Sequence, residues 1–295
     1  MINEYIDILI RDKLWKQGDD STSKLRAMKL ATVKRRIGNF LKARGRRSGV
    51  SATRPSPLKS IIPTFSGPWK DLPPGNGQID TVLHNDTLVG DAVYTLNYTD
   101  SATCLDIPRA QWNKGQEATL RSIKAIKETL PYPWLLAHPD SGSEFINYKA
   151  KEYFDANNIK YVRSRPGRKN DNMYIEERNG HVIRKMLGYI NLTCREAVPA
   201  LNEYYDVMTP YLLHFVAVRR MIGKEKDGSK YKRVYEKVPL TPYQRILLHP
   251  EVTEEVKQKL RQEHALLNPK ILKEKMAKKL KEVYDIQRLY GNKRI

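Results

Sequence analysis

The chain has 295 residues, 53 of them Lys or Arg and 33 Asp or Glu, for a formal charge of +20. With 40% apolar and 29% charged residues it can build a packed core, so global disorder is excluded, and the positive excess makes a plain metabolic enzyme a poor expectation. Two distant cysteines, Cys104 and Cys194, exclude a disulfide framework or a cysteine-rich zinc module, and no segment approaches about 18 continuous apolar residues or reads as a secretory signal.

These absences point to a reducing, cytoplasmic setting with no membrane contact. Composition divides the chain into residues 1–48, 49–74, 75–212 and 213–295. Residues 1–74 hold 16 basic and 6 acidic side chains, 75–212 hold 16 and 17, and 213–295 hold 21 and 10. A near-neutral middle between basic flanks is the pattern expected if the flanks hold a polyanion, because neutralising phosphates releases counterions without reading any sequence. An ordinary solvated basic surface is the competing reading.

Within residues 1–48, positions 23–44 read as two short helices broken near 29–31, with Leu25 and Met28 packing against Val33, Ile37 and Leu41. Thr32, Lys34, Arg35 and Arg36 then stand at the start of the second helix, available for a DNA groove. A helix-turn-helix and a plain basic hairpin are both compatible with this pattern. Residues 49–74 contain six prolines and no sustained period, which reads as an extended linker.

The middle segment alternates like a strand over 78–84, again over 91–100, and again over 103–107, an antiparallel meander. A helix follows over 115–130, a short apolar strand over 134–139, a helix over 144–157, a strand over 159–162 and a helix over 173–189. That order defines the expected fold class: an α/β, ribonuclease-H-like core in which a three-stranded meander is extended by two strands and flanked by helices. A small helical segment precedes it and a basic mixed region follows.

Asp80 lies in the first strand and Asp140 at the end of the fourth, where neighbouring strand ends can bring distant carboxylates together. The last helix offers Glu176 and Glu177. Helical spacing puts Glu176 on a face with Gly180, Ile183 and Leu187, and Glu177 with His181, Arg184 and Gly188, so Glu176 is expected to point inward. Three convergent carboxylates without a histidine or cysteine set favour a hard cation such as Mg²⁺. Two such ions about 3.5–4 Å apart can activate an attacking oxygen and stabilise a leaving one in phosphodiester chemistry. Singly, each acid has a plainer reading: a strand-end acid, a turn acid and a solvated helix residue.

As a set, Ile79-Asp80-Thr81, then His138-Pro139-Asp140 with Gly142 and Glu144-Phe145, then Asn170 to Asn172 leading into Ile175-Glu176, resemble the integrase catalytic core of bacterial insertion-sequence transposases. The 35 residues between Asp140 and Glu176 match the Asp, Asp, 35, Glu spacing of that superfamily, which includes retroviral integrases. The resemblance runs from about residue 25 to near the end of the chain. It implies Asp80, Asp140 and Glu176 as catalytic metal ligands for two Mg²⁺, with Mn²⁺ able to substitute. It also implies double-stranded DNA partners, both element ends and target, and a homodimer or higher homo-oligomer on DNA in a bacterial cytoplasm. No histidine precedes His84, so the zinc module of retroviral integrases is not expected here, and Gly167 and Tyr174 stand where relatives often carry an aromatic and a histidine. The chain begins close to its helix-turn-helix, so a truncated or inactive copy that represses transposition is the alternative.

Arg163, Arg165, Arg168 and Lys169 fall just before the helix of Glu176 and are expected to contact phosphates there. Glu144 is expected to open a helix, where a carboxylate is favoured electrostatically, and stays outside the metal set. Residues 224–235 read as a basic hairpin turning at Asp227-Gly228. Two amphipathic helices interrupted at Asn268-Pro269 complete a basic C-terminal region for DNA binding or assembly.

Overall fold

The computed structural model describes residues 2–33, 57–69, 71–84, 91–140, 142–165, 171, 173–188, 190–227 and 230–291. Strands β1 (Asn76–Leu83), β2 (Val93–Asp100), β3 (Asp106–Trp112), β4 (Leu136–Pro139) and β5 (Lys160–Tyr161) form one sheet in the order β3-β2-β1-β4-β5. The first three are antiparallel, and β4 and β5 continue parallel to β1. This is the meander plus two strands expected from the sequence.

The third strand starts later than its alternation suggested. The fully buried Asp100 carboxylate accepts from the backbone N–H groups of Ala102 and Thr103, at 2.9 and 2.8 Å, which bends residues 101–105 into a turn. Its second oxygen takes the Gly75 N–H at 2.7 Å and the Tyr98 hydroxyl at 3.0 Å. Gly77 on β1 lies directly against that tyrosine ring, since a Cβ there would sit 2.1 Å from Tyr98 Cε2. We expect Gly77→Ala to destabilise the fold by about 3 kcal/mol, the upper end for overpacking a dense core, read as a lower urea midpoint. An unchanged midpoint would refute this packing.

Apolar side chains from the two faces of the sheet form separate cores. One holds Ile79, Leu96, Tyr98 and Ile107 with Ile123 and Ile126 of α3 (Gln116–Thr129) and Phe154 of α4 (Tyr148–Ala156). The other holds Val82 and Val93 with Val182, Ile183 and Leu187 of the helix beginning as α5 (Met173–Arg178), and with the long α6 (Ala197–Phe215). Alternate residues of β1 thus serve opposite faces, as a pleated strand requires.

Hairpin β6 (Met221–Asp227) and β7 (Lys230–Tyr235) agrees with the basic hairpin read from the sequence. Helices α7 (Pro242–Leu248), α8 (Glu254–Leu266) and α9 (Pro269–Tyr290) follow, α9 capped by Asn268 with Pro269 in its first turn. Leu272, Met276 and Val283 of α9 are buried in the α6 core, so its apolar stripe is intramolecular.

At the N-terminus, α1 (Ile2–Arg11) and α2 (Asp19–Arg26) are present, α1 being absent from the sequence expectation. Its Tyr5 hydroxyl donates to that of Tyr211 on α6 at 3.2 Å, and Arg11 reaches the Ala265 carbonyl. The start of the second expected helix is described only to Val33, where Thr32 N–H bonds the Lys29 carbonyl. Lys34, Arg35 and Arg36 lie outside the described residues.

The presumed linker is not wholly a surface segment. Leu58, Ile62 and Trp69 are buried, and Thr64 bridges Arg163 beyond β5, because this stretch carries enough apolar residues to cover the sheet edge.

Candidate active site

Ile79 of β1 faces Pro139 of β4 in parallel register, the last pair between the two strands. Asp80 and Asp140 are the next residue on each chain, and neighbouring strands lie only about 4.8 Å apart. Both are half-buried. Asp80 Oδ1 accepts the Thr81 N–H at 2.8 Å, and Asp140 Oδ1 accepts the Gly142 N–H at 2.7 Å. Burial and the facing Asp140 carboxylate push the Asp80 carboxyl up to about 7. Two acids held this way repel one another unless a proton or a cation intervenes.

The helix of Glu176 is fastened across β1 by two polar side chains two residues apart on one face of the strand. Gln78 accepts the Ile175 N–H at 3.1 Å and donates to the Asp171 carbonyl at 2.5 Å. Asp80 accepts from Asn179 Nδ2 at 2.9 Å, and Asn179 Oδ1 in turn takes Asn97 Nδ2 at 3.1 Å. Arg178 adds a third tie, its Nε donating to the fully buried Asp106 carboxylate at 2.6 Å, while Thr99 Oγ1 donates to the other Asp106 oxygen at 2.6 Å. The sheet therefore fixes both the height and the rotation of this helix.

Glu176 is exposed, contrary to the inward orientation expected from regular spacing. The inward positions are Ile175, Asn179, Val182, Ile183 and Leu187. The helix widens into a π-segment at Asn179–Arg184, which adds a residue to the turn and breaks the assumed 3.6-residue register. Glu176 stands three residues before Asn179, hence one turn from the side chain that touches Asp80. Glu177 is occupied elsewhere: the Tyr235 hydroxyl donates to it at 3.1 Å and Arg233 pairs with it at 3.4 Å, both from the hairpin.

Glu144 does not open a helix. Asn147 caps α4 by accepting the Ala150 N–H at 2.9 Å, so the helix starts four residues later than expected. A turn closed by Phe145 and Ile146 N–H groups on the Gly142 carbonyl folds Glu144 inward, where it is 5% exposed. It accepts from Thr81 Oγ1 at 3.1 Å and pairs with Lys114 at 3.1 Å. Gly142 lets the two acids pack close to the turn: a Cβ there would lie 2.5 Å from Glu144 Oε2 and 2.9 Å from Asp140 Oδ1. Glu144 and Lys114 belong to the surroundings of the acid pair, and the turn-forming Gly142 beside Glu144 was the available signal for the former.

Among the described residues no group of three or more His, Cys, Asp or Glu side chains could hold a metal ion. The structure thus sets Asp80 beside Asp140, and no metal-holding group that includes Glu176 is found among the described residues. Of the arginines expected to meet phosphates, Arg163 is buried and its guanidinium donates to the carbonyls of Ile62, at 3.0 Å, and Ser164. It staples the 57–69 segment to the end of β5 rather than facing DNA, because the residue before the loop still belongs to the sheet edge. Arg165 is half exposed and bound bidentately to Asp171. Arg168 and Lys169 lie outside the described residues.

His84 is buried against Thr95 at 2.7 Å, and burial pushes its imidazole down to about 3, leaving it a neutral structural group. Both cysteines are buried, and burial pushes the Cys104 thiol up to about 11. No helix among the described residues is long and apolar enough to cross a membrane.

No family model matches the chain. A protein of Sinorhizobium fredii (strain NBRC 101917 / NGR234), called uncharacterized protein y4rM, is 30% identical over 228 residues, which cover 73% of this chain and 63% of that protein. The chain therefore spans less than two thirds of this relative's length. Among solved structures, the catalytic core domain of BIV integrase is similar at a TM-score of 0.32 and 14% identity, over 38% of this chain and 68% of that one. The HTLV-2 integrase catalytic core domain in complex with magnesium, in its dimeric form, is similar at a TM-score of 0.38 and 14% identity, over 50% of this chain and 93% of that one.

Proposed function

We propose that this chain is a DNA transposase that cuts element ends and joins the freed 3′-hydroxyl to target DNA. The observation that carries this reading is the adjacency of Asp80, within β1, and Asp140, directly after the parallel β4, under a helix pinned to β1 by Gln78 and Asn179. The donor set suits a hard divalent cation: two facing carboxylate groups, one of them pushed towards its protonated form by burial and by the other, with no histidine or thiolate beside them among the described residues. Asp80 and Asp140 would hold Mg²⁺ or Mn²⁺, with Glu176 as the third ligand. The ion supplies electrostatic stabilisation of the phosphate charge and of the attacking and leaving oxygens.

The chain's own part is positional. Thr81 and Gly142 N–H groups aim the two carboxylates, Asn179 orients the outer oxygen of Asp80, and Lys114 with Glu144 keeps the rim of the site close to electrical balance. The basic flanks supply affinity for the DNA backbone. Activity on two element ends calls for more than one protomer, and the cytoplasm is the setting we propose.

A second reading, a non-catalytic copy that binds element ends and represses transposition, has one observation in its favour: Glu176 is exposed and completes no cluster of ligands among the described residues. An oligonucleotide joining assay separates the two. With Mg²⁺ or Mn²⁺, the wild type should nick and join duplexes carrying the element's ends, EDTA should abolish this, and Glu176→Gln should lower it by about 10²–10³-fold, the scale of a lost transition-state contact. End binding without cleavage in any metal would establish the repressor reading instead.

A further inference from the structure

The described surface carries a second charged feature on the opposite side of the meander. Two adjoining depressions, of about 390 and 560 Å³, share Trp112, Ala118, Arg121 and Arg195 and so form one groove between β3, α3 and the approach to α6. Arg109 and Lys149 add two further cations, neutralised by Asp206 and Glu117 respectively. Arg121 and Arg195 are exposed, and among the described residues no carboxylate lies within ion-pair distance of either. They come from separate elements, so the near-neutral composition of the middle segment conceals a local excess of two positive charges. Half-buried Trp112, the last residue of β3, lines the same groove.

The groove also has a direction. Asn113 and Gly115 line its far part, and Lys114 between them pairs with Glu144 beside Asp80. A chain lying in the groove therefore leads to the rim of the acid pair. An extended peptide adding to the sheet is disfavoured at the middle of the β3 edge, because Asn202 already occupies Ala110, accepting its N–H at 2.8 Å and donating to its carbonyl at 3.1 Å. Recognition is left to guanidinium groups and one indole, which suit phosphates and an unstacked base.

We infer that this groove binds a single strand of DNA running to or from the acid pair, with Arg121 and Arg195 on its phosphates and Trp112 against a base. The inference rests on the DNA-processing reading above. It is tested on the full chain in EDTA, by fluorescence anisotropy of a labelled 20-nucleotide single strand and of the matching duplex across a salt series. Wild type is compared with Arg121→Glu/Arg195→Glu and with Arg121→Gln/Arg195→Gln, each checked by circular dichroism. Charge reversal should weaken single-strand binding at least tenfold and flatten its log–log salt slope by about 1.4, two phosphates at roughly 0.7 each, with duplex affinity changed less than threefold. The Gln pair should show the same salt slope with a smaller loss.

Unchanged single-strand binding would overturn the groove assignment, as would equal loss on both DNAs. A shift in oligomeric state by sedimentation would make the groove a protomer contact and overturn it too. Wild-type protein that binds neither DNA would sink the nucleic-acid reading itself, a result distinct from failure of the groove alone.

Discussion

Asp80→Asn should make the metal-free protein more stable at pH 8 while abolishing its metal response. The Asp80 carboxyl titrates near 7 in the folded chain, against an ordinary value of 3.8, because it is buried and faces Asp140. A folded-state value raised in this way means that the group's stabilising contribution is complete below about pH 4. It is lost as pH climbs to about 7, with little change beyond. One pKa unit corresponds to about 1.4 kcal/mol, and discounting for partial exposure leaves roughly 2 kcal/mol to be recovered by removing the charge. Asn can keep the Thr81 N–H bond, and flipping the Asn179 and Asn97 amides restores the remaining pairing, since Asn97 Oδ1 is buried without a partner. Thermal melts in EDTA from pH 4 to 8 should therefore slope down for the wild type and lie flatter for the variant. Mg²⁺ at pH 8 should raise the wild-type midpoint alone. Parallel pH profiles for the two proteins would refute the strained acid pair.

Arg178→Met should cost about 3–5 kcal/mol, the penalty for leaving a buried charge without its partner. The Asp106 carboxylate is fully buried and would keep only the Thr99 hydroxyl. The lost tie lies two residues beyond Glu176, so cleavage should fall together with stability. Arg178→Met/Asp106→Leu should regain most of the stability, because apolar replacement of a buried pair is close to neutral, without regaining the helix position that Arg178 sets. Urea midpoints with circular dichroism check the first part and the joining assay the second. A single variant as stable as the wild type would show that the pair does not anchor the helix.

The strands carrying Asp80 and Asp140 were readable because alternation and apolar runs are local signals, with Asp80 inside the first run and Asp140 at the end of the fourth strand. What fixes the site was not readable in the same way. Gln78, Asn97, Asn179 and the Arg178–Asp106 pair act across 72 to 99 positions of chain, and a polar residue inside a strand or helix carries no mark of its distant partner. The π-segment at Asn179–Arg184 leaves the composition of the helix unchanged while altering which residues face inward, so a 3.6-residue projection misplaced Glu176. Two capping residues, Asp100 and Asn147, moved the starts of β3 and α4, and the second shift turned Glu144 from a helix-end acid into a neighbour of the acid pair. Arg163 looked like part of a basic loop because its neighbours are basic. The parallel bridge with Thr64 commits it to the sheet edge instead.

The most direct test of the central claim is a Mn²⁺ titration followed by electron paramagnetic resonance, on wild type, Asp80→Asn, Asp140→Asn and Glu176→Gln. The account predicts bound Mn²⁺ in the wild type, none at the same concentration in either Asp variant, and weakened binding in Glu176→Gln. Equal Mn²⁺ binding by the wild type and Asp80→Asn would contradict it.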